Sequence, residues 1–296
     1  MKTRTRLLTV ALFSLLAGPL SASAAGAQKA ESLDAVLEKA RAYCRRLDRA
    51  ALDFVCREEV TEKINGLGRP VGITIQNMPT NVTNNPGALH VQAPPPESFV
   101  TTTYLYDYQY VRKVSDVRER RDLIKKDGED IQEADTRVKT LHFKFAEVFF
   151  GPSVLLGANA SAGHIYKLAK TDKVEGQPVA VINCGPRGIG GERPLSGKAW
   201  VRIADGAVLK IEWDPETFGS YREVLEVAKK FKMKPKIKSG TEFGVERNGL
   251  RFPSLDVTEE VYSGGGSSIF TRAIITAKYK DYKFFTVETE TDIRRP

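Results

Sequence analysis

Four dipeptides, Asp127-Gly128, Glu175-Gly176, Asp205-Gly206 and Asn248-Gly249, stand between runs of alternating apolar and polar residues. A tight turn of this kind joins antiparallel neighbours, whereas parallel strands need a crossover of about a dozen residues or more. The alternating runs fall at about 100–113, 116–124, 136–146, 164–172, 178–184, 197–204, 207–214, 236–246, 250–262 and 269–290. In that order they predict an antiparallel meander rather than a parallel βαβ sheet. Helical spacing interrupts the series near 147–157 and at 217–231, where Phe218, Tyr221, Leu225, Ala228 and Phe231 keep a helical period. The fold class expected is α+β, mainly antiparallel β, with one large curved sheet and a few helices on its concave side. A transmembrane barrel is the rival. Its lipid-facing band must be uncharged, and these strands alternate with Lys, Arg and Glu.

The N-terminus reads as an export signal. Lys2, Arg4 and Arg6 precede an apolar stretch from Leu7 to Gly18, and small residues follow, with Ala22-Ser23-Ala24 or Ala25-Gly26-Ala27 as cleavage sites. The apolar run is shorter than the roughly 20 residues of a spanning helix. Residues 1–25 are therefore expected to be removed, leaving a single domain over 26–296 in a periplasmic or secreted, soluble protein. The net charge of +8 falls to +5 without the three signal cations. That modest, dispersed excess suits contact with an anionic membrane surface and leaves no footprint for nucleic acid. Residues 74–98, rich in Pro and Asn, lack periodicity and read as a long loop.

Cys44 and Cys56 close the stretch YCRRLDRAALDFVC. Leu33, Val36, Leu37, Ala40, Cys44, Leu47 and Ala51 set a helix over about 32–53, with Ser32 as N-cap, Asp34 in the first turn and Cys44 on the buried stripe. Were that helix to continue through Cys56, the two Cα atoms would stand about 18 Å apart at about 1.5 Å per residue. A disulfide needs less than about 7 Å. After Asp53 the period becomes two, with Phe54, Cys56 and Val60 on one face and Arg57 and Glu59 on the other, so a reversal is available. In an oxidising compartment the expectation is a Cys44–Cys56 disulfide stapling helix to first strand. Two buried thiols or a redox pair are the alternatives, and the absence of C-x-x-C weakens the second. Cys184 reads as a buried thiol on a strand.

Residues fit for catalysis are few. The histidines are His90, His142 and His164, and none stands in an H-x-x-x-H or H-E-x-x-H arrangement. No G-x-S-x-G elbow is present, and the glycine-rich stretches CGPRGIGGERP and SGGGSS lack the Lys-Ser/Thr ending of a phosphate loop. No catalytic residue, metal or cofactor is expected. An unrecognised hydrolase remains the lesser alternative, because triads assemble through space.

Aromatic residues carry more information. In TYLYDYQYV, Tyr104, Tyr106, Tyr108 and Tyr110 fall on every second residue, so one strand face presents all four. Either the rings pack under a helix with hydroxyls at the rim, or they form a face for a lipid, glycan or peptide. Trp200 and Trp213 pose the same choice. These six are the candidate ligand-binding residues. The run KKFKMKPKIK at 229–238 reads first as lysine protection of a sheet edge, and second as a dock for an anionic surface.

GKAWVRIADGAVLKIEW (197–213), followed by a helix and then GTEFGVERNGLRFPS (240–254), resembles the hairpin-then-strand signature of the outer-membrane lipoprotein-sorting, or Lol-type lipoprotein-carrier, superfamily. Beyond it, YLYDYQYVRK and YKDYKFFTVETE are similar to a family of uncharacterised secreted bacterial proteins related to that group. The resemblance covers about residues 100–290 and implies an unclosed half-barrel whose helices plug an apolar concavity that accepts acyl chains. The function it implies is a non-catalytic, exported binding protein for lipid or lipoprotein acyl chains, a carrier or sensor. The alternative is an envelope protein–protein interaction or stress-sensing module without lipid.

Overall fold

The computed structural model describes residues 31–65, 99–113, 116–140, 148–188, 194–218, 221–264 and 269–288. The expected signal peptide (1–25), the Pro/Asn-rich loop (74–98), His90 and His142 lie outside the described residues. The first helix, α1 (Leu33–Arg49), leads directly into β1 (Ala51–Asn65). An N-terminal meander follows, made of β1, β2 (Phe99–Lys113), β3 (Asp116–Lys126) and β4 (Glu129–Glu133). Two short helices, α2 (Gly151–Leu156) and α3 (Ala160–Gly163), precede a second meander of β5 (His164–Val174), β6 (Gln177–Pro186), β7 (Gly197–Arg202) and β8 (Val208–Trp213). After α4 (Tyr221–Phe231) come β9 (Lys234–Glu242), the small hairpin β10 (Val245–Arg247) and β11 (Leu250–Phe252), then β12 (Leu255–Ser263) and the long β13 (Ile269–Glu288).

Eleven of these strands form one antiparallel sheet, ordered β4-β3-β2-β1-β13-β12-β9-β8-β7-β6-β5, and β10–β11 stand apart. The sheet is unclosed, with β4 and β5 as its edges. Its centre is a pairing of first and last strands, Ala51 opposite Glu288 through Ile64 opposite Ala273. Three of the four turn dipeptides place both residues in the left-handed region: Asp127 and Gly128, Glu175 and Gly176, Asn248 and Gly249. That conformation matches the twist of the flanking strands. The fourth, at Asp205-Gly206, belongs to a longer turn in which only Gly206 has positive φ. The stretch expected as a strand at 136–146 is irregular over residues 136–140.

Helix α1 forms for local reasons and is seated by distant ones. The Ser32 hydroxyl accepts from the Ala35 amide at 3.3 Å, Asp34 lies in the first turn, and Arg46 and Arg49 lie in the last. Its stripe of Val36, Leu37, Ala40, Tyr43, Cys44 and Leu47 is buried against the sheet face that also carries α2 and β10–β11. Gly206 permits this approach, because a Cβ there would meet the Lys39 carbonyl carbon at 2.2 Å. At the other end, buried Arg112 on β2 donates through Nε to the Ala50 carbonyl at 3.0 Å and through Nη2 to the carbonyls of Ala50 and Leu47. These are the carbonyls a helix C-terminus leaves without intrahelical partners. The helix stops at Arg49, four residues before the expected end.

One expectation is corrected. Cys44 and Cys56 form no disulfide: both are free and buried. The chain does turn at Ala50, yet α1 lies so that the Cys44 thiol donates to the Pro152 carbonyl on α2, at 3.5 Å. Cys56 points instead into the aromatic region of β1, where its neighbours include Tyr282 and Arg121. Around the lysine run at 229–238, β9 pairs with β12 from Lys234 to Glu242 but with β8 only from Ser239 to Glu242, so Lys234, Lys236 and Lys238 are exposed where β9 has a strand partner on one flank. Cys184 is buried on β6, as read from the sequence.

Candidate functional site

The helix-bearing face of the sheet is divided by chemistry. Its main core joins α1, α2 and β10–β11 to β1, β2 and β6–β8. A second apolar cluster, Val224, Ala228, Ile237 and Tyr262, lies under α4. Between them runs a band of buried polar residues. Ser239 and Thr258 share a hydrogen bond of 2.9 Å, the Thr241 hydroxyl donates to Asp256 at 2.6 Å, and Arg272 donates to buried Glu260 at 2.8 Å. On the β1 side of the band, Glu58 is fully buried and receives two bonds from Arg121 of β3, at 2.6 and 3.3 Å.

A shallow cleft, partly open to solvent and with room for about one water molecule, lies where this band meets the main core. Phe54, Val148, Phe149 and Pro253 form its apolar wall, and Tyr108, Tyr279, Tyr282 and Arg121 complete it. Phe54 is the hub of the wall. Its ring lies 5.3 Å from Phe252, 5.5 Å from Tyr282 and 6.1 Å from Tyr108, centroid to centroid. A bulge sets the third side. Tyr279 and Tyr282 are three residues apart, which strict alternation would send to opposite faces. Asp281 between them has a φ of 56°, and β13 slips against β1 there, so both rings line the cleft.

The polar end of the cleft is acidic on balance among the described residues. The Arg121 guanidinium lies 4.7 Å from the Tyr108 ring centroid and also meets Glu119 at 3.1 Å. The Tyr108 hydroxyl donates to Glu119 at 3.0 Å. Burial, then the charges of Glu58 and Asp256, push the Tyr279 hydroxyl well above the usual tyrosine range. It therefore stays protonated. That buried hydroxyl has no hydrogen-bond partner among the described residues. Tyr282 donates to the Pro253 carbonyl at 2.7 Å.

Asp256, which neighbours the Tyr279 hydroxyl, has its carboxyl pushed up to about 6 by burial, against the Thr241 hydrogen bond that favours its charge. A raised folded-state value means the folded protein holds a proton that the unfolded chain releases. Stability from this group is full below about pH 4 and is lost as pH rises toward about 6. Asp256→Asn, which keeps an acceptor for Thr241, is expected to remove that loss and to raise stability at pH 7 by about 3 kcal/mol. Urea midpoints of variant and wild type from pH 4 to 8 give the result as a difference, which cancels the carboxylates common to both.

The six candidate aromatics do not make one surface. Tyr104, Tyr106, Tyr108 and Tyr110 share one face of β2 as the alternation requires, and all are buried. Of these, Tyr108 lines the cleft, while the Tyr106 hydroxyl accepts from the Lys139 amide at 3.0 Å. Trp213 packs against the main core and donates to Thr241 at 3.1 Å. Trp200 lies in a separate cluster with Val179, Val181 and Leu209, and the Lys210 ammonium sits 5.3 Å from its ring centroid. Alternation along β7 sets Trp200 on the opposite side of the sheet from Ala199 and Val201, which belong to the main core.

Among the described residues, the histidine and the cysteines are otherwise engaged or held protonated. Both ring nitrogens of His164 lie 2.8 Å from carbonyl oxygens, those of Ala160 and Leu195. Burial pushes the Cys44 and Cys184 thiols up to about 12 and raises Cys56 as well. No group of three or more metal-ligating side chains occurs among the described residues. No helix among them is long and apolar enough to cross a membrane.

No family model matches the chain, and no curated protein matches it. Solved structures do. A LolA superfamily protein from Nitrosomonas europaea aligns over 88% of this chain and 96% of its own, at 10% identity and a TM-score of 0.34. A DUF1329 family protein from Desulfovibrio piger aligns over 89% and 94%, at 9% identity and 0.35. The MucA/MucB complex structure from Pseudomonas aeruginosa aligns over 83% and 94%, at 9% identity and 0.24.

Proposed function

We propose that this chain is an exported, non-catalytic binding protein whose ligand is an acyl chain, or another slender amphiphile, held against the aromatic wall of the cleft. The observation that supports this reading is the aromatic wall itself: Phe54, Phe149 and three tyrosine rings converge on a cleft that opens to solvent and, as it stands, has room for about one water molecule. Elsewhere the apolar face is filled by the chain's own α1, α2 and β10–β11. As it stands the cleft is far below the about 300–1,000 Å3 of ordinary small-molecule pockets, so a segment of one acyl chain would enter only as the rings of the wall move apart. Each methylene moved out of water contributes about 0.8 kcal/mol, so six supply about 5 kcal/mol. That corresponds to a Kd on the order of 0.1–1 mM before any polar contact. The engaged His164 nitrogens and the suppressed thiols support a role in binding rather than catalysis.

Native mass spectrometry after incubation with neutral C8 to C12 acyl ligands tests the reading. Wild type is expected to retain one ligand. Val148→Phe, which fills the cleft from its wall, is expected to bind at least tenfold more weakly. A folded wild type that takes up no acyl ligand at millimolar concentration overturns the proposal and leaves a protein-interaction module as the surviving alternative.

A further inference from the structure

The end of the sheet where α4 gives way to β9 carries a surface that neither the core nor the cleft explains. Residues 229–238 hold six lysines and no carboxylate. Lys238 is engaged by Glu259 of β12, at 3.0 Å. Lys229, Lys232, Lys234 and Lys236 are exposed and have no ion-pair partner among the described residues. Lys229 stands in the last turn of α4, and Lys232 in the two-residue link between that helix and β9.

Strand register brings an apolar side chain into this group. Lys234 pairs with Ser263 of β12, and Ser263 pairs with Ile269 of β13. Paired residues project to one face and neighbouring strands lie about 4.8 Å apart, so the Cα atoms of Lys234 and Ile269 are about 10 Å apart on one rung. That face is turned away from α4, because Ile237, Tyr262 and Phe270, which pack under the helix, have the opposite parity. Lys236 shares the outward face. Ile269 is 70% exposed, more than any other large apolar side chain among the described residues. Edge protection accounts for Lys234 and Lys236, on a stretch of β9 with a strand partner on one flank. It does not account for Lys229 and Lys232, which lie outside the strand, or for an isoleucine left in water beside them.

We infer that this end of the sheet docks on an anionic phospholipid surface, with the four lysines against the head groups and Ile269 entering the boundary between head groups and acyl chains. Each ammonium brought to an anionic leaflet raises partitioning about fivefold, the equivalent of about 1 kcal/mol. An apolar side chain rimmed by cations adds the burial that a purely ionic contact lacks. Ile269 and Tyr279 stand ten residues apart on β13, about 30 Å along the strand, so the dock is separate from the aromatic cleft and does not depend on an acyl ligand there.

Vesicle flotation tests the dock, with phosphatidylglycerol vesicles set against phosphatidylcholine vesicles. In about 0.1 M salt the protein is expected to bind the anionic vesicles at least tenfold more tightly, and to release them in about 1 M salt, where the screening length falls from about 10 Å to about 3 Å. Lys232→Gln, Lys234→Gln and Lys236→Gln combined should lose about a hundredfold, at about fivefold for each lysine. A control of equal charge change on exposed lysines elsewhere, Lys113→Gln, Lys167→Gln and Lys173→Gln combined, should lose less than about fivefold. Ile269→Asn should weaken vesicle binding about three- to tenfold while leaving binding to heparin, a polyanion with no apolar layer, unchanged. All of these side chains are exposed, so the variants remain folded, which thermal melts verify. No binding to anionic vesicles, or equal binding to both kinds, overturns the proposal. Equal losses from the two triple variants put the effect in net charge and overturn this end as the dock. Vesicle binding that Ile269→Asn leaves unchanged identifies a general polyanion site and overturns the lipid surface as its partner.

Discussion

Arg121→Met should lower the unfolding free energy by about 3–5 kcal/mol, the range for deleting one partner of a buried ion pair. The size follows from what remains. Glu58 is fully buried on β1, a strand paired on both sides, and Arg121 donates to both of its carboxylate oxygens. Without the guanidinium, a buried carboxylate has lost its counter-charge, and the Tyr108 ring has lost the cation 4.7 Å from its centroid. Replacing both partners should restore most of the loss, because a buried pair substituted by neutral side chains is often close to thermodynamically neutral. Urea denaturation of Arg121→Met, Glu58→Gln and the double variant at pH 7 supplies the cycle. A double variant that loses as much as the two single variants combined would mean that the two side chains are not coupled.

Phe54→Ala carries the second large effect. Phe54 is about 1% exposed and touches the rings of Tyr108, Tyr110, Phe149, Phe252, Tyr282 and Phe284 at centroid distances of 5.3–6.3 Å. Truncation removes the transfer energy of the ring and leaves a cavity, together worth about 3–5 kcal/mol. Because this ring is also a wall of the cleft, the cavity opens into the proposed acyl site. A functional signature should therefore accompany the instability, with the variant favouring an acyl chain two or three carbons longer than wild type prefers. Thermal melts give the first quantity and a chain-length series gives the second. A melting temperature unchanged from wild type would show that the aromatic hub does not hold β1 to β2, β11 and β13.

Much of the fold could be read from residues close in sequence. The turns at Asp127-Gly128, Glu175-Gly176 and Asn248-Gly249 encode their own backbone, and each strand's period follows from which side chains face the core. Sheet order was less accessible. Nothing near β9 says that β12 will pair with all of it while β8 reaches only Ser239–Glu242, which leaves the lysines at 234–238 on a stretch paired on one flank. The cysteine pairing failed for a similar reason. A reversal near Ala50 is necessary for that bond, but the side of α1 that faces α2 is fixed by Pro152 and Gly206, more than 100 residues away. The site was legible in part. The alternation that placed Phe54, Cys56 and Val60 inward placed Glu58 with them, and an ionic group on an apolar face was the available signal. The contribution of Tyr282 was hidden by the bulge at Asp281, which inverts the side that a two-residue period assigns.

The pairing of β1 with β13 bears on the order in which this molecule can be made. Ala51 meets Glu288, and Ile64 meets Ala273, so the seam holding the two meanders together needs the final stretch of polypeptide. Long-range strand pairing is slow because distant loops must close before contacts form. A chain delivered from its N-terminus, at a ribosome exit or through a translocation pore, presents β1 with one flank open until almost everything else has emerged. Folding into the finished sheet is thereby deferred until β13 has emerged.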